Sequence, residues 1–277
     1  MSSEFGRLSA WRDTAALDAA KAKDHGARLE LRGRAEDEAL ARREYLQLLG
    51  VAPGERVLDV GCGSGVVTRA LAELVGPRGA VVGMDSSPAL LDVAREYANE
   101  DGIADRIEWR VGDCRQMPFE GGSFDAVIAA TVLAHVPDAE RALAEMVRVT
   151  KFGGRVGVFD FDGDGFLISH PDRQVTRRIV AAQCDHGAVD GQLVRHLPGL
   201  LTRLGLDDVK AKAFMPLERD PAGFYAGFAK RAASTAAKAG AITEEELSTW
   251  LTAFDEILRT DRFIGGRLHL FVWGNKR

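Results

Sequence analysis

The sequence predicts an α/β fold built on a doubly wound, mostly parallel sheet, and three observations carry that prediction. The apolar run Val57-Leu58-Asp59-Val60 leads into Gly61-Cys62-Gly63-Ser64-Gly65, and Val67, Ala70, Leu71 and Leu74 follow at helical spacing. A second run, Ala80 to Met84, ends in Asp85, twenty residues after Gly65. A third, Arg106 to Val111, ends in Gly112-Asp113-Cys114. Strands that alternate with helical patterns build parallel sheets.

Each element has its own local reason. Residues 1–48 are rich in Ala, Leu, Arg and Glu with no strand signal, and read as helices. In the turn after the first strand, glycines let the backbone approach a ligand, and the helix start supplies unpaired N–H donors. Ser86 or Ser87 suits a helix N-cap and Pro88 its first turn, with Leu90, Leu91, Ala94 and Tyr97 as the buried face. A fourth strand spans Phe124 to Ala130, and Ala139, Leu143, Met146 and Val147 mark the helix behind it. Lys151-Phe152-Gly153-Gly154 ends that unit, and a fifth strand runs from Arg155 to about Phe161. Residues 171–205 read as helical, with Leu193, Leu197, Leu200, Leu201 and Leu204 as buried candidates. Asp208 to Leu217 and Arg267 to Gly274 read as closing strands. Between them, residues 218–262 read as two helices, far longer than the usual 2–5-residue hairpin link and suited to a lid.

Composition narrows the function classes. The chain has 277 residues, 46% hydrophobic and 28% charged, with a formal net charge of −5 and no long basic run. Nucleic acid and anionic membrane are therefore poor partners. No apolar stretch approaches a membrane span, and the first 26 residues lack the apolar core of a secretion signal. Cys62, Cys114 and Cys184 have neither disulfide nor zinc spacing. These features suggest a reducing cytoplasm; the oligomeric state stays open.

The glycine turn alone fits a dinucleotide as well as other nucleosides. Asp85, at a strand tip, can accept hydrogen bonds from both hydroxyls of a ribose. Asp59 disfavours NAD, because a carboxylate two residues before the first glycine repels a pyrophosphate at short range. Asp113 offers an acceptor for an exocyclic amine such as that of adenine.

Four segments then carry a resemblance: VLDVGCGSG (57–65), VVGMDSSPALLDVAREYA (81–98), RVGDCRQMPFEGGSFDAVIAATVLAHVPD (110–138) and RVTKFGGRVGVFD (148–160). In order and spacing, across about residues 45–161, the chain resembles the class I S-adenosylmethionine-dependent methyltransferases. Within them it is similar to the ubiquinone and menaquinone C-methyltransferase group. The resemblance implies a Rossmann-like, seven-stranded, mostly parallel sheet with an antiparallel last strand beside the sixth. On this reading the core is 49–217 and 263–277, with a helical N-terminal addition (1–48) and a helical lid insertion (218–262).

The implied cofactor is S-adenosylmethionine. Its methionine part would lie over the Gly61, Cys62 and Gly63 turn near Asp59. Asp85, with Ser86 beside it, would take the ribose, Asp113 and the Cys114 backbone the adenine, and Thr131 the floor of the transfer site. The cofactor's ammonium and sulfonium suit an acidic site without a phosphate cradle. The resemblance also favours Pro at position 152, where this chain has Phe152, with only a packing consequence expected.

Ligands bind open α/β sheets beyond the carboxyl ends of the strands, so residues after strands four and five face the acceptor. His135 is the candidate base, although a histidine recurs there in relatives with unlike substrates and suits a role in holding the loop. Ala134 stands where some relatives carry a carboxylate.

After strand five, Asp160-Phe161-Asp162-Gly163-Asp164-Gly165 resembles the start of a calcium loop. It fails at the twelfth position, where Pro171 replaces the bidentate Glu, so no metal is expected. Either Asp160, as a catalytic group, or Asp162, as a substrate ligand, would orient the acceptor; a solvated acidic turn is the alternative. Phe166 and Tyr225 are substrate-pocket candidates together with Phe159, Phe161, Phe214, Phe224 and Phe228, which could equally be core. Arg32 and Arg34 would reach the cofactor carboxylate only if the N-terminal helix folded over the site.

The expected function is metal-independent, in-line methyl transfer to a small organic O-, N- or C-acceptor, aromatic or polyketide-like, releasing S-adenosylhomocysteine. The alternative is a cyclase or isomerase that binds the same cofactor and transfers no methyl.

Overall fold

The computed structural model describes Leu8, Trp11 and residues 13–277. The leader reading falls partly on residues 1–7, 9, 10 and 12, which lie outside the described residues. Two helices, α1 (Ala19–Arg34) and α2 (Glu36–Leu49), precede the sheet. Strands β1 (Arg56–Val60), β2 (Ala80–Asp85), β3 (Ile107–Val111) and β4 (Phe124–Ala130) follow, separated by α3 (Val66–Val75) and α4 (Pro88–Glu100). After α5 (Ala139–Val149) come β5 (Thr150–Ile168), α6 (Arg173–His186), α7 (Leu193–Arg203), β6 (Leu206–Phe214) and the two-residue β7 (Leu217–Glu218). Helices α8 (Phe224–Lys238) and α9 (Glu244–Arg259) lead to the last strand, β8 (Gly265–Lys276).

The strand order is β3-β2-β1-β4-β5-β8-β6. The first five strands are parallel, and β8 runs antiparallel between β5 and β6. Seven strands form the expected sheet, and β7, paired with β8, adds an eighth. The order reverses between β1 and β4, which opens the crevice where such sheets bind ligands.

Two sequence expectations change. The fifth strand does not stop near Phe161; it continues to Ile168, with a register shift between Phe161 and Phe166, so the Asp-rich run lies within the strand. Phe152 is 82% exposed and so has no part in core packing.

Apolar alternation explains the two main layers. Leu58, Val60, Val127, Val156 and Val158 pack on one face with α5 and α7. Val57, Val81, Ala126, Ile128 and Phe159 pack on the other with Tyr45, Leu46 and Leu49 of α2. A third cluster joins Val175 and Ile179 of α6 to Tyr225, Ala229, Trp250 and Phe254 of α8 and α9. Full burial of such side chains stabilises by about 1.5–3 kcal/mol each, which fixes α8 and α9 against α6. Thr243 and Glu246 form a capping box at the start of α9. Among the described residues, no helix is long and apolar enough to cross a membrane.

Candidate functional site

A cavity of about 890 Å³ opens over the carboxyl ends of β1, β2, β4 and β5, roofed by α1 and α8. Its size lies within the range of about 300–1,000 Å³ usual for small-molecule sites. Gly61, Cys62, Gly63, Asp85, Ser86, Asp113, Cys114, Thr131 and His135 all line it, so the structure gathers the turn, three strand tips and the β4 loop into one space.

The glycine turn is constrained by backbone geometry. Gly61 has φ 68°, and a Cβ there would meet Val132 at 2.6 Å, so the position requires glycine. The Gly61 and Cys62 N–H groups donate to the Met84 carbonyl at 2.7 and 3.0 Å. The Gly63 N–H donates to Asp85 Oδ2 at 2.9 Å, and the Ser87 N–H to its Oδ1 at 2.9 Å. These donors are thus already engaged, which leaves the turn poorly equipped to cradle a pyrophosphate. Burial raises the Asp85 carboxyl above its ordinary range, against the N–H groups of Ser87 and Gly63.

Asp113 is exposed at the end of β3, and Arg115 clasps it at 2.8 Å. Hydrogen bonding to Arg115 holds its carboxyl below the usual value. Thr131, at the tip of β4, has φ 58°. A β-branched residue in that region is strained, and such strain concentrates at ligand sites. Its N–H donates to the Phe159 carbonyl at 2.6 Å and its hydroxyl accepts from Arg32 Nη1 at 3.1 Å.

Five predicted site residues line no part of this cavity. Asp59 lies beneath the turn, where it accepts from the Thr68 hydroxyl at 2.6 Å. Asp160 is fully buried on the other face of β5 from Phe159 and Phe161, accepting from the Ala134 and Phe161 N–H groups at 3.1 and 2.9 Å. It holds the His135 loop and cannot touch an acceptor. Asp162 is paired with Arg195 at 2.6 and 2.7 Å. Phe166 packs against Phe228 in the helical cluster. The buried Tyr225 hydroxyl donates to Glu38 at 2.6 Å. Of the other aromatic candidates, Phe159, Phe161, Phe224 and Phe228 line the cavity and Phe214 does not.

His135 faces the cavity, but burial and then the charges of Arg267 and Arg32 push its pKa down to about 3. It is neutral at physiological pH and a weak base.

Asp59 gives a direct test of burial. Desolvation raises its carboxyl to about 7, with Asp85 adding to the rise and Thr68 opposing it. The folded state therefore holds this proton more tightly than the unfolded chain. That stability is fully present below about pH 4 and is lost as pH rises through 7. Asp59→Asn keeps an acceptor for Thr68 and cannot ionise. Between pH 5 and 8 the parent should lose up to about 2–3 kcal/mol that the variant keeps, measured by urea unfolding at both pH values. Parallel pH dependences would refute the buried-proton assignment.

Sequence reasoning missed a set of residues contributed by the N-terminal helices. Arg32, weighed only as a remote cofactor contact, points inward. Its Nε donates to Glu38 at 2.9 Å, and one Nη donates to His269 Nε2 at 3.2 Å. His269 Nδ1 lies 2.9 Å from the Arg267 carbonyl, so the neutral Nδ1–H tautomer satisfies both contacts. Arg34 is exposed. Glu30, also buried, accepts from Ser64 at 2.8 Å and Arg69 at 2.7 Å, locking α1 to the glycine turn. The contacts of Glu30 with Ser64 and Arg69 and of Arg32 with His269 span 34 to 237 residues, so no local pattern reports them.

A methyltransferase-domain family profile matches residues 57–154. An uncharacterised 37.1 kDa protein in a transposon of Streptomyces fradiae is 37% identical over 171 residues, covering 60% of this chain and 48% of that protein. The ubiquinone/menaquinone biosynthesis C-methyltransferase of Ectopseudomonas mendocina is 40% identical over 126 residues, covering 46% and 49%. The chain spans about half the length of the curated relatives it matches. The YcgJ protein of Bacillus subtilis shares the fold, with a TM-score of 0.59 at 19% identity over 85% of this chain and 98% of that one.

The residues fit S-adenosylmethionine: the turn's donors are occupied, Asp85 stands at the tip of β2, and the cavity admits a nucleoside of that size. Residues 57–154 are therefore a methyltransferase domain of the class I, S-adenosylmethionine-dependent type, and the chain that carries it is similar to the ubiquinone/menaquinone C-methyltransferase group.

Proposed function

We propose that this protein transfers a methyl group from S-adenosylmethionine to a small organic acceptor, aromatic or polyketide-like, in the cytoplasm and without a metal. The observation that carries the reading is the continuity of the cavity. Asp85, Thr131, Phe161, Phe224 and Phe228 all line this one space. When bound, the cofactor supplies a methyl already activated on a sulfonium. The chain's own task is then to hold two reactants in line at about 3–3.5 Å and to exclude water. In this reading Asp85 and Ser86 orient the ribose, Asp113 and the Cys114 backbone the adenine, and the Gly61–Gly65 turn the amino-acid part. Thr131 forms the floor between donor and acceptor. Residues 218–262 act as a lid, since α8 contributes Phe224, Phe228 and Arg231 to the wall. A space enclosed by α1 and α8 suits a small molecule better than a polynucleotide.

The chemistry is tested by intact mass spectrometry of a metabolite panel incubated with S-adenosylmethionine, with S-adenosylhomocysteine measured in parallel. A product heavier by one methylene with matching S-adenosylhomocysteine supports transfer. An isomerised product without S-adenosylhomocysteine overturns it in favour of a cyclase.

His135 enters this reading as a wall, not as the base. With an accepted substrate, His135→Asn should lower turnover less than about tenfold, whereas loss of a general base costs about 10²–10⁴-fold. A loss in that larger range, with a pH limb abolished by the variant, would restore a catalytic role.

A further inference from the structure

The aromatic end of the cavity contains a buried cation with no hydrogen-bonded carboxylate among the described residues. Arg267 lines it, is only 9% exposed, and its Nε has no hydrogen-bond partner among the described residues. The guanidinium carbon lies 3.2 Å from the Phe161 ring centroid and 5.0 Å from that of Phe228. Three other arginines of the cavity have carboxylate partners, Arg28 with Asp24, Arg32 with Glu38 and Arg115 with Asp113, while Arg42 donates to the Gly33 carbonyl. Asp160 and Asp162 attract Arg267 through space but bond elsewhere, Asp160 to two backbone N–H groups and Asp162 to Arg195. Arg231 lines the same end, between 5.8 and 5.9 Å from the rings of Phe224 and Phe228.

Burying a guanidinium whose N–H groups meet no acceptor is costly, and ring faces offset only part of that cost. Burial accordingly holds the Arg267 pKa down, at about 9. A planar anion matches the fork of an arginine with two parallel hydrogen bonds. Position separates this cation from the cofactor end. Strand β8 lies four strand spacings from β2, with β1, β4 and β5 between them, or roughly 19 Å from the strand of Asp85.

We propose that this end of the cavity is an acceptor subsite for an aromatic anion, a carboxylate on a flat ring, with Arg267 as its charge partner and Arg231 beside it. The proposal rests on the methyl-transfer reading for the word acceptor, though not for the anion itself. The ring lies among Phe161, Phe224 and Phe228 while its carboxylate meets Arg267. Arg267 is then a specificity-determining residue that selects anionic over neutral acceptors of the same shape.

The test is calorimetry on the protein saturated with S-adenosylhomocysteine, using benzoate, 1-naphthoate and 2-naphthoate against their carboxamides. At least one carboxylate should bind tenfold or more tightly than its carboxamide. Arg267→Met should reduce that preference below threefold while leaving S-adenosylhomocysteine affinity within twofold, and Arg267→Lys should retain part of it. No preference in any of the three pairs overturns the subsite, and this comparison needs no variant. A preference that survives in Arg267→Met overturns the role of Arg267. Failure of the parent to bind S-adenosylhomocysteine overturns the cofactor reading instead, and the same pairs measured without it still test the anion subsite.

Discussion

Asp85→Ala is expected to weaken S-adenosylhomocysteine binding at least tenfold and up to about a hundredfold, or about 1.4–2.7 kcal/mol. Two effects add. On the proposed reading the variant removes the carboxylate that accepts from the ribose hydroxyls, and hydrogen bonds to charged groups contribute about 1.5–3 kcal/mol each. It also releases the Gly63 and Ser87 N–H groups, which Asp85 holds at 2.9 Å each. The turn and the start of α4 then lose their shared anchor. Asp85→Asn separates the two effects, because the amide can still accept one of those backbone bonds. It should bind with intermediate affinity. Calorimetric titration with S-adenosylhomocysteine gives the answer, and parent-like affinity in Asp85→Ala would remove Asp85 from the site.

Glu38→Ala is expected to cost about 3–5 kcal/mol of stability, the usual penalty for removing one partner of a buried ion pair. Glu38 is 6% exposed and accepts from Arg32 Nε at 2.9 Å, Arg32 Nη2 at 3.1 Å and the Tyr225 hydroxyl at 2.6 Å. Without it, Arg32 keeps hydrogen bonds to Thr131 and His269 but has no carboxylate partner among the described residues. The sign of the pH dependence follows from the same contacts. Burial works against the charge on Glu38, but Arg32 and the neighbouring groups prevail and hold its pKa at about 2. Its contribution is therefore present above about pH 4.5 and is lost as pH falls toward 2. Denaturant unfolding at pH 7 and pH 3 should show a large difference between parent and variant at the first and a smaller one at the second. A difference below about 1 kcal/mol at pH 7 would mean that the network contributes little. Tyr225→Phe removes a single bond and should cost about 0.5–1.5 kcal/mol.

The legible part of the site is the part encoded locally. A glycine turn after a buried strand, a carboxylate at the tip of the next strand and a cap before Pro88 are each set by a few consecutive residues. Asp160 and Asp162 were misread although the sequence held the correction. Side chains alternate along a strand, so Phe159 and Phe161 on the cavity side require Asp160 and Asp162 to point away. Ending the strand near Phe161 hid this for Asp162, whereas Asp160 already lay within the expected strand. Phe166 and Tyr225 could not be assigned, because aromatic spacing on a helix or strand does not state which neighbour covers the face. The contributions of Glu30, Arg32, Glu38 and Arg267 depend on which distant segments the topology brings together. Nothing in the residues adjacent to them carries that information.

The placement of β8 has a consequence for how the site comes into being. Strand β6 finds its backbone partners in β8, which is translated some fifty residues later. Until residues 265–276 emerge from the ribosome, β6 has no ladder to join and β5 presents a bare edge. Arg267 and His269 arrive with the same segment, so the far wall of the cavity forms only after β8 has followed the rest of the sheet. Long-range pairing of this kind is slow and leaves edges open to association. A nascent chain can assemble the glycine-turn half of its pocket early, yet acquires the opposite half only once β8 has followed.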